Sequence, residues 1–146
     1  MLFIYEKPKK WYNMLDFKGC VIMDLNNMNV LVLAYLGDNV YEYYIRRYLI
    51  EKGIADVNTL QSESIKYVSA KAQKDIVDKL INDNVLTEEE LSVYKRARNH
   101  KGNRHPKNCD IVTYKCATGF EAILGYLKLK EEDERIKTII NIIIGG

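Results

Sequence analysis

Two prolines and eight glycines in 146 residues leave few points at which a helix is forced to stop. No stretch approaches the ~20 apolar residues that a membrane-spanning helix needs. The most apolar run, residues 136–144, is too short for one and reads as a C-terminal helix docked on the core or buried in a dimer. The first 22 residues lack the pattern of a secretory signal. Three cysteines (Cys20, Cys109 and Cys116) form no CxxC pair and no zinc spacing with His100 or His105, so reduced thiols in the cytoplasm are the expectation. A glycine-rich phosphate loop, a dinucleotide fingerprint and a Ser/His/Asp set are all missing, which makes nucleotide hydrolysis and acyl transfer poor fits. Charge of one sign is lacking too: 22 basic residues against 20 acidic ones give a net +2, too little to mark a nucleic-acid binder by itself.

What is present is ordinary material for a globular core, 47% hydrophobic and 29% charged, in a length that suits one domain. Eleven tyrosines against three phenylalanines favour packed surfaces with a polar rim, as at interfaces. Methionines fall at positions 1, 14, 23 and 28, and the chain divides into an N-terminal extension, 1–22, and a domain over 23–146. Apolar residues at 30, 33, 34, 37, 40, 41, 44 and 48 predict one long helix over 26–53, opened by an Asn cap and closed by Gly53. Asp56 or Asn58 caps a short helix after it. Ile65, Val68, Ala72, Ile76 and Leu80 predict a helix over 62–84. Thr87 with Glu90 three residues on is a capping box, opening a helix through about Asn99. A loop marked by Gly102 and Pro106 follows, then helices over 109–129 and 131–144. No β-period and no internal repeat competes, so the fold class expected is all-α: a single helical bundle.

Two acids stand in apolar company. Asp38 has Leu31, Ala34, Tyr35, Tyr41 and Ile45 as its helical neighbours, and Glu121 lies within Ala117-Thr118-Gly119-Phe120-Glu121-Ala122-Ile123-Leu124. A carboxylate taken out of water requires a partner. Either a basic side chain pairs with it (Arg46, Arg47 or a distant lysine for Asp38), or two such helices face each other around a hard divalent cation. Lys128 lies two turns from Glu121, too far to neutralise it, so a partner for Glu121 must come from another segment. Between Lys95 and Lys107 the chain carries Lys95, Arg96, Arg98, Lys101, Arg104, Lys107 and both histidines with no acid among them. A basic helix end running into such a loop suits a phosphate backbone; read alone, it is a solvated basic loop. Beside two half-buried acids the phosphodiester reading gains, because such a substrate needs cations to hold it and a metal to cut it.

Leu36-Gly37-Asp38-Asn39-Val40-Tyr41-Glu42 resembles the signature of ribonuclease III catalytic domains, and Phe120-Glu121-Ala122-Ile123-Leu124-Gly125-Tyr126-Leu127 resembles the second motif of that family. The likeness is closest to its short branch, the Mini-ribonuclease III proteins, through Leu33-Ala34-Tyr35-Leu36-Gly37-Asp38, Tyr67-Val68-Ser69-Ala70-Lys71-Ala72-Gln73, Arg96-Ala97-Arg98-Asn99 and Pro106-Lys107-Asn108. It covers about residues 26–130. Ala34 and Thr118 stand where full-length members carry acids, which reduces four acidic positions to Asp38 and Glu121.

The resemblance implies a ribonuclease III-type endonuclease domain without a double-stranded-RNA-binding domain. Asp38 and Glu121 would be its catalytic residues and metal ligands, with Mg²⁺, or Mn²⁺ in its place, as cofactor. It further implies hydrolysis of double-stranded RNA to a 5′-phosphate and a 3′-hydroxyl, by a homodimer in which each site cuts one strand. By the same likeness the substrate would be 23S ribosomal RNA precursor, with a ribosomal protein as helper and no membrane. Arg96, Arg98, Asn99, Lys101, Arg104 and Lys107 are the candidates for gripping RNA, and Glu42, Lys71 and Thr118 stand near the site with supporting roles left open. The rival expectation is a non-catalytic RNA-binding dimer of ribosome assembly, to which Ala34 and Thr118 lend support.

Overall fold

The computed structural model describes residues 24–102 and 104–146, so the N-terminal extension expected over 1–22 lies outside the described residues. Within them the chain forms six helices and no strand: α1 (Val30–Glu51), α2 (Val57–Val68), α3 (Ala70–Asn82), α4 (Glu88–Arg98), α5 (Ile111–Leu129) and α6 (Asp133–Gly145). The all-α expectation holds. None of the described helices is long and apolar enough to cross a membrane.

The centre of the bundle is α5. From Cys116 to Leu127 every residue but Glu121 is buried. A helix apolar on all sides must be covered on all sides: α1, α3 and α4 pack around it and α6 closes over its end. Each helix start is specified locally. Asn29 caps α1 by accepting from the Leu31 amide at 2.9 Å, three residues later than the Asn26 cap expected from sequence. The helix closes as expected at Gly53, which takes the left-handed φ of +88° that a non-glycine residue rarely adopts. Asp56, not Asn58, caps α2 through the Thr59 amide at 2.8 Å. Thr87 and Glu90 form the expected reciprocal capping box. Ile136, Ile139 and Ile140 are buried, so the apolar C-terminal helix is docked on its own chain.

One expected helix is two. The periodicity over 62–84 runs through Ser69, yet Ser69 adopts an extended backbone (φ −61°, ψ 151°) and caps α3 by accepting from the Ala72 amide at 3.2 Å. A short hydroxyl side chain able to satisfy a free helical N–H outweighs helical continuity here. The bend sets α3 against α5. The apolar stripe of α1 also drifts: Ile45 and Leu49 are buried, whereas Tyr44 and Tyr48 are only partly so.

Candidate active site

α1 and α5 cross with their backbones in contact, and glycine makes this possible on both sides. A Cβ on Gly37 would collide with the Glu121 carbonyl, and a Cβ on Gly125 would collide with the carbonyl of Leu33. The two glycines interlock, and Tyr41 seals the crossing by meeting Phe120 edge-to-face at 4.9 Å. Because Gly37 lies on the Glu121 peptide, the next residue along α1, Asp38, stands beside the Glu121 side chain. Two acids 83 positions apart in the chain (121 − 38) are brought together by one close helix crossing.

The charges respond to this placement. Burial pushes the Glu121 carboxyl up to about 8, and the neighbouring Asp38 adds to the rise through its charge and through a hydrogen bond between the two groups. Glu42 contributes further repulsion, while the Gln73 amide acts the other way by favouring the ionised form. Asp38 itself is exposed, which corrects the expectation that it is half-buried. Its helical neighbours Leu31 and Tyr35 are exposed as well, so they do not wall it off from water. The buried-pair reading of Asp38 fails with that: Arg46 engages Glu42 at 2.8 Å and Arg47 engages Glu51 at 2.7 Å, and among the described residues Asp38 has no ion-pair partner. Lys128 is turned away from Glu121 and pairs with Asp133 at 2.7 Å.

The donor set suits a hard divalent cation. Asp38 and Glu121 offer carboxylate oxygens only, and the charge of Asp38 disfavours a second charge on Glu121, a conflict that a cation between them would relieve. The described residues hold no group of three or more His, Cys, Asp or Glu side chains in a ligand arrangement, so the acidic pair would leave most of a coordination shell to oxygens from outside the protein.

The residues carried with open roles separate. Glu42, one turn beyond Asp38, faces the pair closely enough to act on Glu121. The Thr118 hydroxyl donates to the Tyr114 carbonyl at 2.9 Å, which occupies its proton on its own helix. Lys71 is exposed in the first turn of α3, where it lines a cleft with Asn108 and Asp110. Gln73 has no assigned role in the sequence, although it ends the Tyr67–Gln73 motif. It is 2% exposed, its Nε2 donates to the Val68 carbonyl at 3.0 Å, and its Oε1 has no partner among the described residues. The signal was available: Gln73 shares the buried stripe of α3 with Val77 and Leu80, a polar residue at an apolar position.

The basic segment lies alongside. Arg96 donates to the carbonyls of Leu25 and Asn26, which ties down the lead-in to α1. Arg98 lies over the Tyr94 ring, 5.8 Å from its centre, and contacts Asn99, the C-cap of α4. Lys101, Arg104 and Lys107 are exposed in the loop between α4 and α5. His100 and Arg104 line a pocket of about 370 Å³ with Leu31, Tyr114 and Thr118, so the loop folds back to one helical turn from Glu121.

The family model for the ribonuclease III domain matches residues 31–132. A Mini-ribonuclease 3 of Streptococcus pneumoniae is 46% identical over 120 residues, covering 82% of this chain and 94% of the relative. A Mini-ribonuclease 3 of Clostridium tetani is 47% identical over 122 residues, covering 83% and 80% respectively. A crystal structure of a protein from Fusobacterium nucleatum superimposes with a TM-score of 0.74 at 41% identity, covering 84% of this chain and 97% of that one.

Proposed function

The chain belongs to the ribonuclease III domain family, and from that premise we propose that it is a metal-dependent endoribonuclease of double-stranded RNA whose catalytic acids are Asp38 and Glu121. The observation that carries this reading is the glycine-locked crossing of α1 and α5, which sets the two carboxyl groups together although burial and the Asp38 charge both disfavour a charged Glu121. A fold seldom retains such repulsion without using it.

Asp38 and Glu121 would hold Mg²⁺, with Mn²⁺ as an alternative. When bound, the ion would supply Lewis-acid stabilisation of the phosphate and a more acidic water. The protein's own part is positional. Asp38 reaches outward, where a duplex can approach, and Glu121 is fixed behind it on the most buried helix of the fold. Hydrolysis in the manner of the family leaves a 5′-phosphate and a 3′-hydroxyl. Duplex RNA is recognised by shape, 2′-hydroxyls and phosphates, and Arg98, Asn99, Lys101, Arg104 and Lys107 supply an exposed polar and basic margin beside the acids. Arg96 would support that margin through its grip on the chain before α1.

Cutting both strands requires two sites related by a two-fold axis, hence a homodimer. The exposed stripe of Leu31, Val32 and Tyr35 supports this, and Tyr35 above all, 84% exposed beside a pocket to which Leu31 contributes. A cytoplasmic role in maturing 23S ribosomal RNA precursor, with a ribosomal protein presenting the duplex, completes the proposal.

The test is cleavage of a long duplex RNA by the purified protein in Mg²⁺, beside Asp38→Asn and an EDTA control. Cutting by the wild type in Mg²⁺ alone is expected. An intact duplex in every lane, with a folded dimer that still shifts RNA in EDTA, would favour a non-catalytic RNA-binding dimer of ribosome assembly instead. Accumulation of unprocessed 23S precursor ends in a deletion strain tests the substrate.

A further inference from the structure

We infer that the cleft between α3 and the start of α5 is a subsite for the ribose edge of the RNA, where Lys71, Asp75 and Asn108 read 2′-hydroxyls beside the cut. The inference rests on the reading of Asp38 and Glu121 as the site of cleavage and adds what tells that site RNA from DNA. Ser69, Lys71, Asp75, Asn108, Asp110 and Thr113 line a cavity of about 600 Å³. Thr113 precedes Glu121 by eight residues on α5 (121 − 113), about 12 Å at the helical rise. That is about four base steps of a duplex, so one short duplex held at the acid pair spans the cleft as well.

Two sequence motifs outside the acid pair meet here. Tyr67–Gln73 forms the corner between α2 and α3. The Tyr41 hydroxyl donates to the Tyr67 carbonyl at 3.0 Å, Gln73 Nε2 to the Val68 carbonyl at 3.0 Å, and the Gln73 amide to the Ser69 carbonyl at 2.9 Å. The corner holds Lys71 and Asp75 one turn apart on a wall of the cleft. Pro106-Lys107-Asn108 forms the facing corner. The Cys109 amide donates to the Pro106 carbonyl at 3.1 Å, which closes a turn with Asn108 in it. Asp110 ties this turn to α5 by accepting from the Thr113 amide at 3.0 Å and the Thr113 hydroxyl at 2.6 Å. Both corners are braced by hydrogen bonds, yet the side chains they bring to the cleft are unused. Lys71, Asp75 and Asn108 are exposed, and among the described residues none of the three makes a side-chain hydrogen bond or an ion pair.

Charge decides which part of the RNA fits. Lys71 and Lys74 stand against Asp75 and Asp110 around the cavity, and Lys74 is already held by Asp78 at 2.6 Å. The cleft therefore lacks the positive excess that a phosphate contact draws on, unlike the loop with Lys101, Arg104 and Lys107. What it offers is an ammonium donor, a carboxylate acceptor and a carboxamide that is both. A 2′-hydroxyl is likewise donor and acceptor, and it is the group by which a protein distinguishes RNA from DNA.

The experiment uses the full chain and a short duplex whose cut bond has been mapped. Blocks of three 2′-deoxynucleotides are placed in turn along each flank and never at the cut. Binding is read in EDTA over a range of salt, and cleavage in Mg²⁺ is split into kcat and KM. In Kd and KM the wild type should favour the all-RNA duplex by about 5–10-fold over the duplex substituted at one flank position, with kcat alike. Asn108→Ala and Asp75→Ala should each lose most of that preference while keeping the wild-type salt slope and unfolding temperature. Taking an acid out of a phosphate site would instead tighten every duplex, so an Asp75→Ala variant that binds both duplexes more strongly would overturn the inference. A wild type that cuts RNA but discriminates at no flank position would overturn it alone, and so would losses that track the unfolding temperature of each variant. A wild type that neither binds nor cuts duplex RNA would overturn the reading of the site and the inference together.

Discussion

The strain at Glu121 makes a prediction about stability that runs opposite to the usual effect of altering an active site. Replacing Glu121 by Gln removes the charge, keeps the shape, and leaves an oxygen for the Gln73 amide to meet. In the folded protein Glu121 titrates at about 8 against an ordinary 4.5, with burial as the main cause and Asp38 the next. A carboxyl with a raised folded value keeps its proton in the native state while the unfolded chain releases it. Below pH 4.5 both states are protonated and the group contributes nothing. As pH rises from about 4.5 to 8 the native state is progressively penalised, and above that the penalty is complete.

The gap of 3.5 pH units (8 − 4.5) corresponds to roughly 5 kcal/mol at the upper limit, and partial exposure with side-chain relaxation brings it to about 1–3 kcal/mol. At about 3–5 °C per kcal/mol for a chain of this size, Glu121→Gln should unfold roughly 3–15 °C above wild type at pH 9. At pH 4.5 the two should nearly coincide. The assay is thermal unfolding by circular dichroism from pH 4.5 to 9 in EDTA, with a parallel series in Mg²⁺. Added Mg²⁺ should raise the wild type at pH 8 and leave Glu121→Gln unmoved, while the variant fails to cut duplex RNA. A difference that stays flat across pH, or a variant less stable than wild type at pH 9, would refute the reasoning.

Three further outcomes follow from other contacts. Gly37→Ala should destabilise by about 3 kcal/mol or more, because its Cβ meets the Glu121 carbonyl, whereas Gly145→Ala, with open space around it, should unfold with the wild type; equal unfolding temperatures for both variants would contradict the backbone contact. Arg135 donates to both Glu90 oxygens at 2.7 and 2.9 Å and to the Val85 carbonyl at 2.7 Å, and Glu90 is 2% exposed. Arg135→Met should therefore cost about 3–5 kcal/mol by leaving a buried carboxylate unpaired, and chemical denaturation showing no loss would refute it. Changing Lys101, Arg104 and Lys107 together to Ala should make the dependence of duplex binding on log salt shallower by about 2–3 in slope; an unchanged slope in filter binding would remove that loop from the RNA interface.

Most of the helices, the Thr87 and Glu90 box, Gly53 at a helix end and the pair of acids in apolar company were legible in the sequence because each rests on short-range chemistry. What failed was the step from a stripe to its cover. Asp38 was read as half-buried because Leu31 and Tyr35 flank it on the helix, but these residues are themselves 44% and 84% exposed. Periodicity states which residues prefer to leave water and is silent on whether the same chain covers them. The stripe of α1 is wider than α5 and its neighbours can hide, and its outward remainder is the surface proposed for a second copy. Ser69 shows a related limit: both sides of it favour helix, and the break becomes visible only when its hydroxyl is seen capping α3. Gln73 is the reverse case, a polar residue that the fold covers completely. Tyr35, an exposed aromatic residue one turn before Asp38, and Gln73, a buried amide, are among the departures from the pattern. Departures of this kind collect where a fold gives up local consistency for a site.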